Sequence, residues 1–222
     1  MTNITINLDN PIEQGSDAWF LMKLGKISGS RISDVLTEGR SGNESLTKKK
    51  YKNELIRERL TGKRIPSYKK TPLMARGIEL EPLARAFYEH TYQLMVDQVP
   101  FVDHPTIAMA GCSPDGLVGT DGLLEIKCPS PENHLGHLLE NGQALIKTYY
   151  DQVQWQLVVT QRAWCDLISF DPEMPDHLKM YVVRILVDQD WVTKAEAAVI
   201  ALNAEIETIL TKLKEITNGN NT

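Results

Sequence analysis

No run of this 222-residue sequence reaches the roughly 18 apolar residues that a membrane-spanning helix needs. Its opening, Met1-Thr-Asn-Ile-Thr, lacks a basic region leading into an apolar stretch, so the expected location is the cytoplasm. Cysteine is scarce: Cys112, Cys128 and Cys165 are odd in number and widely spaced, which argues against a disulfide framework, a zinc site or a four-cysteine iron–sulfur cluster and leaves buried free thiols. No Gly-x4-Gly-Lys-Ser/Thr loop is present, which removes a built-in ATP motor. The five histidines, His90, His104, His134, His137 and His177, lack cysteine or partner pairs and read as structural or exposed. An excess of positive charge is also missing. At a net charge of −5 the chain does not advertise a non-specific nucleic-acid groove.

What positive charge there is clusters. Residues 40–70 hold Arg40, Lys48, Lys49, Lys50, Lys52, Arg57, Arg59, Lys63, Arg64, Lys69 and Lys70 against Glu44, Glu54 and Glu58. Either this is a localised basic surface or Lys48 to Lys52 solvate the outer face of a helix. The 42% hydrophobic and 24% charged content is that of a globular protein able to bury one core. With no repeat or long linker, residues 1–222 are expected to form a single domain with a frayed tail at about 218–222.

The pattern predicts helices first. Ser16 caps a short helix stopping at Gly25, a second spans Ser28 to Leu36, and Thr47 caps a third that carries Tyr51, Leu55, Ile56 and Leu60 inward until Gly62. Pro72 suits a helix start, and residues 79–92 continue helically with Leu80, Leu83, Ala84 and Phe87 buried and a break or restart at Pro82. Strands are expected at Leu94–Val99, Thr106–Ala110, Leu117–Val118 and Leu123–Cys128, forming a small meander. A short helix within Pro129–Leu139, a longer one at Ala144–Gln161, and strands at Trp164–Phe170 and Met180–Val187 follow. Asp190 caps the last helix, which runs to about Thr217. The sum is an α/β domain with a mixed central sheet flanked by helices.

Ser113 to Cys128 is the most informative segment. Alternation puts Leu123, Glu125 and Lys127 on one strand face and Leu124, Ile126 and Cys128 on the other, so a carboxylate and an ammonium project together. Asp121-Gly122 is a hairpin signal that folds Asp115 back toward Glu125. Two hard carboxylate ligands suit Mg²⁺ or Mn²⁺, and Lys127 can orient or deprotonate a bound water. The same pattern also fits a turn followed by an exposed amphipathic strand without chemistry. On the helix from Ala144, Tyr149, Gln152 and Gln156 form a polar stripe opposite Leu145 and Val158, which on pattern alone is ordinarily a solvated face.

Six segments, Glu13 to Trp19, Leu24 to Ser30, Gly77 to Pro82, Gly111 to Gly116, Leu124 to Pro129 and Tyr149 to Gln154, resemble in order and spacing the phage lambda type alkaline exonucleases. These are the YqaJ-like viral recombinase family of the restriction-endonuclease-like nucleases. The resemblance implies that Asp115, Glu125 and the Ile126 carbonyl bind metal, that Lys127 assists the attacking water, and that Glu81 completes the acidic cluster. Glu79 competes for that last place, but two residues apart on a helix do not share a face. It implies a 5′-phosphate pocket from Lys23, Ser30, Ser113 and Gln152, with Lys23 where the family has arginine. Ser28 and Ser30 have an alternative as helix caps. Tyr149 and Gln152 match family positions, which, with Trp155 as a packing anchor, implies that their stripe faces the site; Arg40 matches a strand-guiding arginine, and Met74 an apolar wedge or else a core methionine.

The implied activity is Mg²⁺-dependent (Mn²⁺ possible), two ions per site, 5′-to-3′ removal of 5′-mononucleotides from double-stranded DNA ends, leaving 3′ single strands. The implied assembly is a homotrimeric ring without ATP, with a single-strand annealing protein as partner and, for a phage-encoded chain, the host cytoplasm as location. The rivals are a structure-selective endonuclease of the same fold and a non-catalytic DNA-end-binding module.

Overall fold

The computed structural model describes residues 12–39, 43–65 and 71–219. Helix α1 (Asp17–Met22) opens on Ser16, whose hydroxyl accepts from the Trp19 N–H at 3.2 Å. It ends sooner than expected. The next segment is also not one helix: Ile27–Ser28 form strand β1, Gly29–Arg31 a 3₁₀ turn, and only Ile32–Leu36 the helix α2. Ser45 rather than Thr47 caps α3 (Leu46–Thr61), by accepting from the Lys48 N–H, and Gly62 closes it at φ 61°. Tyr51, Leu55 and Ile56 are buried as expected, while Leu60 is exposed.

Helix α4 (Pro72–Tyr92) is capped by Thr71 with Pro72 in its first turn, and it continues through Pro82 where a break or restart was expected. Pro82 removes only the donor for the Ile78 carbonyl. Both residues are exposed, so that carbonyl can be hydrated, while packing of Ala84 and Tyr88 holds the second half of the helix to the sheet. The buried stripe is Ala84, Arg85 and Tyr88; Leu83 is exposed and Phe87 and Leu80 are only partly covered.

Strands β2 (Val96–Asp97), β3 (Val102–Asp103), β4 (Ala110–Cys112), β5 (Gly116–Val118) and β6 (Gly122–Lys127) precede α5 (Pro131–Leu139) and α6 (Gln143–Thr160). Then come β7 (Trp164–Phe170), β8 (Met180–Leu186) and α7 (Gln189–Gly219). The main sheet has five strands in the order β2-β5-β6-β7-β8, with β6 parallel to β7 and every other pair antiparallel. A three-stranded sheet, β1-β4-β3, lies apart from it, so the expected single meander is split between two sheets. Residues 106–109 are not strand because His104 Nδ1 accepts from the Thr106 and Ile107 N–H groups at 3.3 and 3.1 Å and folds them into a turn. Asp188, not Asp190, caps α7 by accepting from the Trp191 N–H at 3.0 Å, and the helix extends past Thr217.

Alternation in β6 sorts its side chains between two cores. Leu124, Ile126 and Cys128 pack with Ala84 and Tyr88 of α4, whereas Leu123 packs with Leu145, Val153 and Leu157 of α6. The sheet is therefore mixed and flanked by helices. A third core joins β1, α2, α3, α6 and α7 around the fully buried Trp155. At the hairpin, the turn is Gly119 to Asp121, and Gly122 already belongs to β6, paired with Val118. A Cβ on Gly122 would lie 2.2 Å from the Trp164 ring on the neighbouring strand, so only glycine fits.

Candidate active site

The β5–β6 register pairs Gly116 with Leu124, so Asp115, one residue earlier, stands opposite Glu125. The Asp115 carboxylate accepts from the Ile126 N–H at 2.7 Å, which ties it to the strand that carries Glu125 and Lys127. Glu125 is 1% exposed and accepts from Lys127 Nζ at 2.6 Å, Gln152 Nε2 at 2.5 Å and Gln156 Nε2 at 2.7 Å. Helix α6 thus turns its polar stripe onto the strand. Tyr149 lies one turn before Gln152, with its ring centroid 4.4 Å from Lys127 Nζ.

Three carboxylates share this region. Burial first, then the charges of Glu125 and Glu81, push the Asp115 carboxyl well above the usual carboxylate range, against the lowering effects of Lys127 and the Ile126 N–H. Burial alone would lower Lys127, yet Glu125 and Asp115 outweigh it and raise its pKa, so it is held as a cation. Glu81 projects from α4 and receives Arg85 Nη2 at 2.6 Å; Glu79 is exposed. Arg85, buried at 8% exposure, also donates to the Asp115 carbonyl at 3.2 Å. Sequence reasoning missed Arg85. Its only local signal was the four-residue spacing from Glu81 across Pro82.

Among the described residues no three His, Cys, Asp or Glu side chains converge closely enough to hold a metal by themselves. The donors that do converge are Asp115, Glu125 and the intervening backbone of Ile126. Oxygen-only ligands of this kind suit a hard cation that keeps several waters. Burial and then repulsion from Glu125 raise the Asp115 pKa, and a divalent ion would offset both by supplying positive charge beside the carboxylates.

Beside this cluster is a cavity of about 150 Å³ lined by Lys23, Ser30, Ser113 and Gln152, together with Gln14, Trp19, Ser28, Gly29 and Gln156. No carboxylate is in that wall. Trp19 Nε1 donates to Ser113 Oγ at 3.0 Å, and Lys23 Nζ stands 4.0 Å from the Trp19 ring centroid. Burial, then the nearby Arg64, bring the Lys23 pKa down to about 8, partly opposed by Glu58. Ser28 is not a side-chain helix cap: its backbone N–H donates to the Tyr51 hydroxyl from strand β1, and Ser30 lies within the 3₁₀ turn. Gln152 and Gln156 belong to both the cavity and the Glu125 cluster.

Met74, in the first turn of α4, is 49% exposed and therefore not a core methionine, and it does not line the cavity. Arg40 lies outside the described residues, as do Lys69 and Lys70. The basic stretch is not one free surface, because Lys52 is buried against Glu44 and Glu205 and Arg59 pairs with Glu207. All three cysteines are buried free thiols. No described helix is long and apolar enough to cross a membrane.

A YqaJ-like viral recombinase domain matches residues 18–163, which include both clusters. The chain belongs to this family. Two crystal structures of the alkaline exonuclease LHK-Exo from Laribacter hongkongensis, one in complex with dAMP, are 38% identical to it. The dAMP complex superimposes with a TM-score of 0.83 over 92% of this chain and 99% of that one. A phage-related exonuclease from Haemophilus somnus 129PT, 16% identical, shares the fold at a TM-score of 0.70, covering 85% of this chain and 96% of its own. No match is found among curated proteins. The fold is thus the restriction-endonuclease-like one of these exonucleases, and family membership supports a nuclease role.

Proposed function

We propose that the protein is a Mg²⁺-dependent exonuclease that takes a double-stranded DNA end, seats its 5′ phosphate in the Lys23 cavity and releases 5′-mononucleotides in the 5′-to-3′ direction. The observation that carries this is the junction at Gln152 and Gln156, which line the cavity and also hold Glu125. An anion bound in the cavity would lie next to the carboxylate cluster, so the terminal phosphate would set which bond is presented for cleavage. The dAMP in complex with LHK-Exo is a 5′-mononucleotide of the kind that such cleavage releases.

Asp115, Glu125 and the Ile126 carbonyl would hold Mg²⁺ or Mn²⁺, with a second ion in the two-metal arrangement. Such ions polarise the phosphate and lower the pKa of bound water. The chain's own groups do the rest. Gln152 and Gln156 fix both Glu125 oxygens, and Tyr149 and Glu125 hold the Lys127 ammonium where it can orient the attacking water. Arg85 offsets Glu81 and grips the Asp115 backbone. Attack on the phosphorus expels the 3′ oxygen of the terminal nucleotide and leaves a new 5′ phosphate, the group that the cavity accepts.

We assign Met74 as the wedge at the duplex end, on its exposure in the first turn of α4, and Arg40 as a strand-guiding residue, on family resemblance. A homotrimeric ring would keep a chain of net charge −5 on DNA by topology instead of by charge, and the 3′ strand would pass to a single-strand annealing protein for recombination. The test compares linear 5′-phosphorylated, linear 5′-hydroxyl and covalently closed duplexes with Mg²⁺ or chelator. Mg²⁺-dependent release from phosphorylated ends alone supports the proposal. Cleavage of closed duplex would favour a structure-selective endonuclease, and end binding without release a non-catalytic module.

A further inference from the structure

We infer that Arg64 is the second cation of the 5′-phosphate site, a specificity residue delivered by the segment that follows α3. The inference rests on the proposed phosphate role of the Lys23 cavity and adds a residue that is not part of its wall.

Two consecutive aromatic residues of α1 carry the geometry. Trp19 and Phe20 meet edge to face with centroids 4.8 Å apart; Lys23 Nζ lies 4.0 Å from the Trp19 centroid and the Arg64 guanidinium carbon 3.4 Å from that of Phe20. The rings therefore hold an ammonium and a guanidinium as neighbours, each by its π face. Neither cation has an ion-pair partner among the described residues. The nearby acid, Glu58, is committed elsewhere: one carboxylate oxygen accepts from the Gly25 N–H at 2.9 Å and the other from the Ile65 N–H at 3.1 Å. That pair of hydrogen bonds also fixes the segment carrying Arg64 against the turn between α1 and β1.

Like charges held together with no ion-paired carboxylate among the described residues, beside a cavity whose wall has none, form a site for an anion. A terminal phosphate monoester carries about 1.5 to 2 negative charges near pH 7, against one for a backbone diester. One ammonium matches the diester; an ammonium plus a guanidinium matches the monoester. Burial and Arg64 leave Lys23 titrating at about 8, whereas a guanidinium stays charged at every accessible pH and offers five donors in a rigid fork. Arg64 is exposed and, among the described residues, is held by its contact with the Phe20 ring, so it can turn onto a phosphate oxygen without breaking a hydrogen bond to any of them.

The experiment measures binding of short duplexes with 5′-phosphate or 5′-hydroxyl ends by fluorescence anisotropy in chelator, where turnover plays no part. Wild type, Arg64→Ala, Arg64→Lys and the double variant Lys23→Arg with Arg64→Ala are compared, with circular dichroism confirming the fold of each. Arg64→Ala is expected to weaken phosphorylated ends about tenfold and hydroxyl ends less than twofold. Arg64→Lys should retain part of the preference, and Lys23→Arg should restore most of it by returning a fork to the cavity. Equal weakening on both ends, or no weakening, overturns the assignment to Arg64. A separate Mg²⁺ incubation reports nucleotide release: its absence in wild type defeats the exonuclease reading, while the binding preference still decides whether Arg64 reads the phosphate.

Discussion

Asp115→Asn should make the metal-free protein more stable while abolishing nucleotide release. The amide oxygen of the substituted side chain can still accept from the Ile126 N–H, so the tie to β6 survives while the charge is removed. Two opposed residues in an antiparallel pair lie about 5 Å apart. At an effective dielectric of about 20, unit charges at that separation repel by roughly 3 kcal/mol. Attraction to Lys127 returns a similar amount, leaving burial and Glu81 as the uncompensated terms. The net relief expected is about 1 kcal/mol, which for a chain of this size is roughly 2–4 °C in Tm. Since the folded pKa of Asp115 lies above its unfolded value, the folded state is penalised progressively as pH rises above the unfolded pKa, and the full penalty is reached above the folded pKa. The penalty vanishes below the unfolded pKa, where the carboxyl is protonated in both states. Thermal melts in chelator from pH 4 to pH 8 should therefore show the variant gaining on wild type as pH rises. With Mg²⁺ the order should reverse, because wild type binds the ion and the variant loses a ligand. A folded variant that is less stable than wild type in chelator at pH 8, or one that still releases nucleotides, would refute this account of Asp115.

Lys127→Ala should reduce release at least a hundredfold with the fold retained by circular dichroism, and full activity would remove Lys127 from the chemistry. Lys23→Ala should impair 5′-phosphorylated ends selectively, and in wild type the phosphate preference should decline as pH rises past about 8, where Lys23 loses its charge. Rates on both end types from pH 7 to pH 9.5 check this, and a flat profile that matches Lys23→Arg would count against it. Gln156→Ala takes one donor from buried Glu125 and should destabilise by about 1–3 kcal/mol in urea melts, with a lower kcat. An unchanged kcat would mean that Gln152 and Lys127 hold Glu125 without it.

The parts legible in the chain were those governed by neighbours in sequence. Alternation along residues 123–128 places Glu125 and Lys127 with Leu123 on the face opposite Leu124 and Ile126, and in the structure Leu124 and Ile126 join one core and Leu123 the other. Trp164–Phe170 is a strand with the expected bounds, and Ser16 caps the first helix through its hydroxyl. The spacing of Tyr149, Gln152 and Gln156 likewise placed them on one stripe, and that stripe does meet Glu125 and Lys127.

What misled was local chemistry with a non-local answer. Ser28 reads as helical until β1 finds a parallel partner in β4, some eighty residues away, and Pro82 reads as a break until packing against the sheet carries the helix through it. By itself, the order of residues determined the strand faces and the types of group available for chemistry, because each depends on bond geometry within a few residues; of the caps it placed Ser16 but put the caps of α3 and α7 two residues late. Tertiary structure alone decided that Arg85 grips Asp115 and that Arg64 stands beside Lys23. Those contacts join separate elements through space, and no period or motif in the sequence encodes the distance between them.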